Sequence, residues 1–235
     1  MQRTSGPAND LNCTGSMAKK QKIDNTEWEQ RLLKEGYKLI AGVDEVGRGA
    51  LAGPVVAACV VLGRKFDVTG ITDSKKLTPK QRVELNGHII SAAKAVGVGI
   101  VQPEDIDRLN ILAATLEAMR VAFLKCLPKP EIVLVDGNRP FAAPITVVPI
   151  VGGDNLSASI AAASIVAKVV RDSIMECAAR NIDGYGFAQH KGYGTAEHLR
   201  AIYSLGPSRI HRMTFSPICE MEQGVLFHRE EVGFF

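Results

Sequence analysis

The chain has 235 residues, 46% of them hydrophobic and 23% charged, with a formal net charge of +3. This is the make-up of an ordinary globular chain, and it excludes a collagen-like rod and a long disordered polymer. Its longest uncharged stretches, 49–63, 140–153 and 155–167, fall short of the roughly 20 apolar residues that a spanning helix needs.

Residues 1–16 are polar, lack a hydrophobic period and end in Gly15-Ser16 before Met17. They read as a leader or tag without a secretory core. Asn25 to Glu35 predicts a short helix carrying Trp28, Leu32 and Leu33, stopped by Gly36. Tyr37 to Val43 predicts a strand ending at Asp44-Glu45. The glycine-rich stretch to Gly53 then leads into a buried β-branched strand, Pro54 to Leu62. The two strands form a hairpin with an irregular turn.

Thr78-Pro79-Lys80-Gln81 is a helix-start signal, and the helix runs to about Ala93. Ala95 to Gln102 alternates as a strand, and Asn110 to Leu127 carries apolar residues at helical spacing until Pro128. Glu131 to Val135 and Ile145 to Val151 are further strands. Ser157 to Arg180 is a long Ala/Ile/Val helix, and Thr195 to Leu205 a last one. An initial hairpin followed by alternating elements predicts an α/β fold with a mixed sheet, antiparallel first and parallel later. The five cysteines (13, 59, 126, 177, 219) have no zinc or redox spacing and read as reduced, mostly buried thiols of a cytoplasmic protein.

Sites in open α/β sheets gather at strand ends. Asp44-Glu45 ends the first predicted strand, Asp136 the fourth, and Asp154 follows the fifth. A turn or cap role accounts equally well for Asp136 or Asp154 alone. Adjacent carboxylates at a buried strand repel unless a cation compensates. With no thiolate pair nearby, the fitting cation is Mg2+ or Mn2+, and two such ions suit phosphodiester hydrolysis. Arg48, Lys75-Lys76, Lys80 and Arg82 supply nearby positive charge. On the long helix Ser157, Ser164, Lys168 and Arg171 share one stripe, expected to line a groove. Lys191, Arg209 and Arg212 interleave with Tyr185, Tyr193, His190 and His211, a mixture that suits nucleic acid. Gly47 to Gly53 approximates a dinucleotide fingerprint, but a strand follows where a helix is needed. Backbone groups in such a loop suit contact with a ribose 2′-hydroxyl. A binding module without catalysis fits less well, because acids along a phosphate path weaken binding unless cations are recruited.

Gly42-Val-Asp-Glu-Val-Gly-Arg-Gly-Ala-Leu-Ala-Gly-Pro-Val-Val-Ala-Ala58 resembles the opening motif of bacterial ribonuclease HII, the type 2 ribonuclease H family. Four further segments agree in order: Asp73 to Thr78, Val135 to Gly137, Gly153-Asp154 with Ser159 to Asp172, and Tyr185 to Thr195 with His211-Arg212. The resemblance covers roughly Ile40 to Pro217. It implies a ribonuclease H-like three-layer fold with a mixed central sheet and a helical C-terminal extension. The implied division is a leader (1–16), an N-terminal helical extension (17–36), a catalytic domain (37–183) and a C-terminal substrate-contacting extension (184–235). The implied activity is hydrolysis of the RNA strand of RNA/DNA hybrids and cleavage 5′ of single ribonucleotides in duplex DNA, leaving 3′-hydroxyl and 5′-phosphate ends. It supports ribonucleotide removal during replication and repair.

The resemblance places metal-binding acids at Asp44, Glu45, Asp136 and Asp154, with two Mg2+ or Mn2+ ions expected alongside substrate. The 2′-hydroxyl reader falls on Gly47, Arg48 and Gly49, and a junction-sensing tyrosine on Tyr193. Lys75, Lys76, Ser164 and Lys168 fall near substrate phosphates. Val46, Ala50 and Val170 depart from the commoner alanine, proline or cysteine, and threonine, and no carboxylate is lost. The expected partners are the RNA/DNA hybrid and ribonucleotide-containing duplex DNA, with no membrane. The chain is expected to be a monomer, with a weak replication-clamp contact through the tail at 218–235.

Overall fold

The computed structural model describes residues 25–63, 66–71, 74 and 77–222. The leader, Lys75 and Lys76, and the tail beyond 222 lie outside the described residues. Five strands form one sheet: β1 (Ile40–Val46), β2 (Val55–Val61), β3 (Ala95–Val101), β4 (Ile132–Asp136) and β5 (Thr146–Ile150). Their spatial order is β3-β2-β1-β4-β5. β2 pairs antiparallel with both β1 and β3, whereas β4 lies parallel to β1 and β5 parallel to β4. This is the mixed sheet that the initial hairpin and later alternation predict. β1 differs in extent: the ladder continues to Val46 opposite Val56, so Asp44 and Glu45 sit inside the strand rather than after it.

Both faces of the sheet are covered. On one lies α4 (Ile111–Lys125), whose Ala114, Ala118, Met119, Ala122 and Phe123 meet Val43, Val55, Ala57 and Val133. On the other lie α2 (Pro79–Ala92) and α6 (Ala158–Asn181), with Ala161, Ile165 and Val166 against Val56, Ala58 and Val60. α2 starts with the full capping box: Thr78 Oγ1 accepts from the Gln81 amide, and the Gln81 side chain accepts from the Thr78 amide. α1 (Glu27–Lys34) sets Leu32 against Ile132, Leu134 and Ile160. Gly42 lets α6 come close, since a Cβ there would stand 2.0 Å from the backbone carbon of Ser159.

Four short helices escape the sequence reading: α3 (Pro103–Leu109), α5 (Gly153–Leu156), α7 (Phe187–His190) and α9 (Ile218–Glu222). Each is too short for a hydrophobic period to emerge. α7, α8 (Ala196–Leu205) and α9 share a separate core, in which Leu51, Ala52, Met175, Tyr185, Phe187, Ile202 and Ile218 pack together. The glycine-rich loop between β1 and β2 is part of that core. Ala50 bridges to Tyr193 and Ala52 to His211, so the loop, beyond its own turn at 47–50, is held by the C-terminal segment. Of the four described cysteines, Cys59 and Cys126 are buried, Cys219 is half-buried and Cys177 is exposed; all are free thiols. No helix among the described residues is long and apolar enough to cross a membrane.

Candidate active site

β1 and β4 run parallel, and Val43 pairs with Val135. One step further along each strand, Asp44 and Asp136 therefore emerge side by side at the carboxyl end of the sheet. Asp44 is buried. Its Oδ1 accepts the Glu45 amide at 2.7 Å, and its carboxylate also bonds the Ser164 hydroxyl. Ser164 projects from α6 and lies 2.9 Å from the Ser74 hydroxyl. Burial first, then the charges of Glu45 and Asp136, push the Asp44 carboxyl well above its usual range. Glu45 is raised too. Burial is again the largest cause, and Arg48 opposes it through a contact of 3.2 Å from Nη1 to Oε1. Asp136 Oδ1 accepts the Gly153 amide at 2.7 Å.

The geometry thus joins Asp44, Glu45 and Asp136 into one electrostatic unit. Asp154 follows Gly153 on α5 and is buried, with its Oδ1 accepting from the Asn155 side chain at 2.8 Å. The main charges felt by Asp44 and Glu45 include Asp136 but not Asp154. Among the described residues, no three His, Cys, Asp or Glu side chains are drawn close enough to close around one ion. The cluster still fits a hard divalent cation. All its donors are oxygens, and Arg48 offsets only part of the negative charge gathered at a buried strand end. Beside it a cleft is lined by Glu45, Arg48, Thr115, Asp136, Asn138 and Arg139. Asn138 and Arg139 were not singled out from the sequence; they follow Asp136-Gly137 directly, and that adjacency was the available signal.

The glycine loop is shaped from behind by two arginines. Gly47 has φ +94°, and a Cβ there would stand 2.2 Å from Arg171 Nε. Gly49 differs: a Cβ would meet nothing within 4 Å, so internal packing does not require glycine there. Arg171 is fully buried and donates to Pro54 O (3.0 Å), Ala52 O (3.1 Å) and Lys191 O (3.0 Å). Arg212 is also fully buried and donates to Gly47 O (2.6 Å), Arg48 O (2.8 Å) and Gly53 O (2.8 Å). Burial, then the nearby Arg171 charge, lowers the Arg212 guanidinium to about 10.

These positions correct the expected basic groove. Arg171 and Arg212 are committed to carbonyls inside the protein. Ser157 caps α6 and donates to Glu29 at 2.6 Å. Arg82 holds Ser74 O and Leu77 O at 2.7 and 2.9 Å. Tyr185, His190 and His211 are buried as well. On the α6 stripe Ser164 and Lys168 remain near the site, Lys168 paired with Asp172 at 2.8 Å. Tyr193 is half-buried, with Lys168 Nζ 5.9 Å and Arg171 Cζ 5.2 Å from its ring centroid. An arginine within a helix otherwise rich in Ala, Ile and Val was the visible sign of burial, since burial of that helix carries the arginine inward.

Comparison with known proteins bears on the whole arrangement. The Ribonuclease HII family profile matches residues 41–218. Ribonuclease HII of Geobacter sulfurreducens is 52% identical over 195 residues, which cover 83% of this chain and 89% of that protein. The solved ribonuclease H2 of Pyrococcus horikoshii superposes with a TM-score of 0.66 at 27% identity, over 80% of this chain and 98% of that one. Ribonuclease HII of Archaeoglobus fulgidus, solved in complex with PCNA, gives a TM-score of 0.64 at 28% identity, over 75% and 95% of the two chains. The matched span runs from the strand that bears Asp44 through the segment that bears Arg212, and it establishes that the chain belongs to the ribonuclease HII family.

Proposed function

We propose that the carboxyl edge of β1 and β4 is the catalytic centre of this ribonuclease H, with Asp44, Glu45, Asp136 and Asp154 as the residues that hold divalent cations, Mg2+ or Mn2+. The family's reaction is cleavage of RNA in RNA/DNA hybrids and at ribonucleotides embedded in DNA. The observation that carries the site assignment is the juxtaposition of Asp44 and Asp136 on neighbouring parallel strands, with Asp44 raised by burial and the charges of Glu45 and Asp136, and Glu45 by burial and the charge of Asp136. When bound, the cations lower the cost of that charge, activate water and stabilise the departing 3′-oxygen.

The chain's own groups supply position and selectivity. The Asp44 carboxylate is oriented by the Glu45 amide and the Ser164 hydroxyl. The loop from Gly47 to Gly49 presents backbone groups to the ribose 2′-hydroxyl, which both donates and accepts. The open space at Gly49 suits close approach of a sugar. Arg48 belongs to this 2′-hydroxyl reader, and Ser164, Lys168, Lys75 and Lys76 are the residues near substrate phosphates. The Tyr193 ring meets the sugar at the RNA–DNA junction. The cut falls 5′ of a single ribonucleotide and leaves 3′-hydroxyl and 5′-phosphate ends. The protein acts in the cytoplasm as a monomer, in ribonucleotide removal from DNA. A weak clamp contact through the C-terminal tail at 218–235 is in keeping with the PCNA complex of the archaeal relative, and unchanged clamp binding after deletion of that tail would dispose of it.

The test is cleavage mapping on a duplex with one ribonucleotide, using Asp44→Asn and Asp136→Asn. Both variants are expected to bind the duplex and leave it uncut, and EDTA is expected to silence the native protein until Mg2+ or Mn2+ is restored. Full activity in either variant would refute the assignment.

A further inference from the structure

The half-buried Tyr193 ring lies 5.9 Å from Lys168 Nζ, and the residue's backbone is held by the C-terminal core. Its amide donates to His190 O at 3.0 Å. Its carbonyl accepts from the Thr195 amide at 2.8 Å, and His198 Nδ1 lies 3.0 Å from the same oxygen. Across its other edge it bridges to Ala50 in the glycine loop. His198 and His211 are buried, and His198 stacks on His190 with ring centroids 4.3 Å apart. Phe187 closes edge-on against His198 at 5.4 Å.

The hydrogen bonds fix where each proton sits. The Ser208 backbone N–H points at His211 Nδ1 from 2.8 Å and can only donate, so that nitrogen accepts and carries no proton; the Ser208 hydroxyl, also 2.8 Å away, then donates to it as well. The proton of His211 is therefore on Nε2, which lies 3.0 Å from His198 Nε2. His198 Nε2 must accept it. The proton of His198 is then on Nδ1, directed at the Tyr193 carbonyl. A second proton on His211 would face the Ser208 amide donor, and a second proton on His198 would face the His211 Nε2–H. Both rings are held neutral by their partners.

We infer that His211 and His198 form a neutral relay of single tautomers, running from the Ser208 amide to the Tyr193 carbonyl, and that they are positioning residues for Tyr193. The relay aligns the tyrosine with the glycine loop and so sets the preference for an embedded ribonucleotide over a continuous RNA strand. The inference rests on the reading of Tyr193 as the residue that meets the RNA–DNA junction. His211→Gln places an amide nitrogen where Nε2 was and keeps the donor to His198. His211→Asn keeps only the acceptor for Ser208 and breaks the relay.

The experiment measures kcat/KM in Mg2+ on two substrates, duplex DNA with one ribonucleotide and a uniform RNA/DNA hybrid, for native protein, Tyr193→Ala, His211→Asn and His211→Gln. Nitrogen-15 ring spectra of the native protein report the tautomers. Expected are a proton on His198 Nδ1 and on His211 Nε2 at neutral pH. The embedded-to-uniform ratio is expected to fall roughly tenfold in His211→Asn, following Tyr193→Ala, and to be kept in His211→Gln. Charged rings or the opposite tautomers overturn the inference, as does a native ratio in His211→Asn when Tyr193→Ala has lost it. Where His211→Asn does not fold, a loss of the ratio in His211→Gln overturns it. A native ratio in Tyr193→Ala instead sinks the junction reading itself, and the relay's purpose with it.

Discussion

Two charged regions lie on either side of the glycine loop, and they are built on opposite rules. In front, Asp44, Glu45 and Asp136 gather negative charge at a buried strand end, where Arg48 pairs with Glu45 and offsets part of it. Behind, Arg171 and Arg212 are fully buried, and their guanidinium donors are met by loop carbonyls. Burial of an under-compensated charge costs stability and leaves affinity to spare for a ligand. Burial of a charge surrounded by acceptors fixes the backbone that supplies them. The contrast separates what binds from what holds the binding surface in shape.

Substitutions on the two sides should therefore move activity and stability in different directions. The largest effect is expected from Asp136→Asn: cleavage falls by roughly a thousandfold or more, while the metal-free protein gains about 1 kcal/mol as repulsion with Asp44 is relieved. Single-turnover cleavage and thermal melting in EDTA check the two halves. Adding Mg2+ should raise the melting temperature of the native protein, and by much less in this variant. A variant as active as the native protein, or one less stable in EDTA, breaks the contrast.

Arg212→Met should do the reverse. It strands the carbonyls of Gly47, Arg48 and Gly53 and is expected to cost about 3 kcal/mol in urea unfolding. Stability unchanged there would mean that the loop holds its own shape.

The pH dependence sharpens the same division. Burial lowers His198 and His211 from the usual 6.5 to about 4. The fold therefore binds fewer protons than the unfolded chain in this window. The histidine contribution is complete above pH 6.5 and is lost as pH falls toward 4, by roughly 3 kcal/mol for the first of the pair. Asp44 and Glu45 are raised instead, so the strain they impose at neutral pH eases as they take up protons. Urea titrations from pH 7 to 4 in EDTA should show the histidine loss flattened in His198→Phe and the carboxylate relief missing in Asp44→Asn.

The smallest stability effect is expected at Gly49. Its Cβ would meet open space, so Gly49→Ala should stay within about 0.5 kcal/mol of native while cleavage at an embedded ribonucleotide drops. Gly42→Ala, whose Cβ would collide with the α6 backbone, should not yield a native fold.

Much of this was legible before any coordinates. The buried runs of β2 and β4, the Thr78 capping box, the spacing within α4 and α6, and the antiparallel-then-parallel order are local patterns, and local patterns survive in sequence. So does the placement of Asp44 and Asp136 near strand ends, because strand length and the first polar residue after an apolar run are read along the chain. Whether a charge faces solvent is different, because it depends on what packs over it from elsewhere. Arg171, Arg212, His190 and His211 carry the same chemistry as a nucleic-acid face, yet here the loop at 47–54 and the C-terminal helices fold over them. The sequence alone determined which residues carry charge and which elements carry those residues. Only the tertiary structure decided which charges are spent on the protein's own backbone and which are left for a partner, because acceptors more than 100 positions away in the chain, such as Gly47 O for Arg212, leave no trace in local spacing.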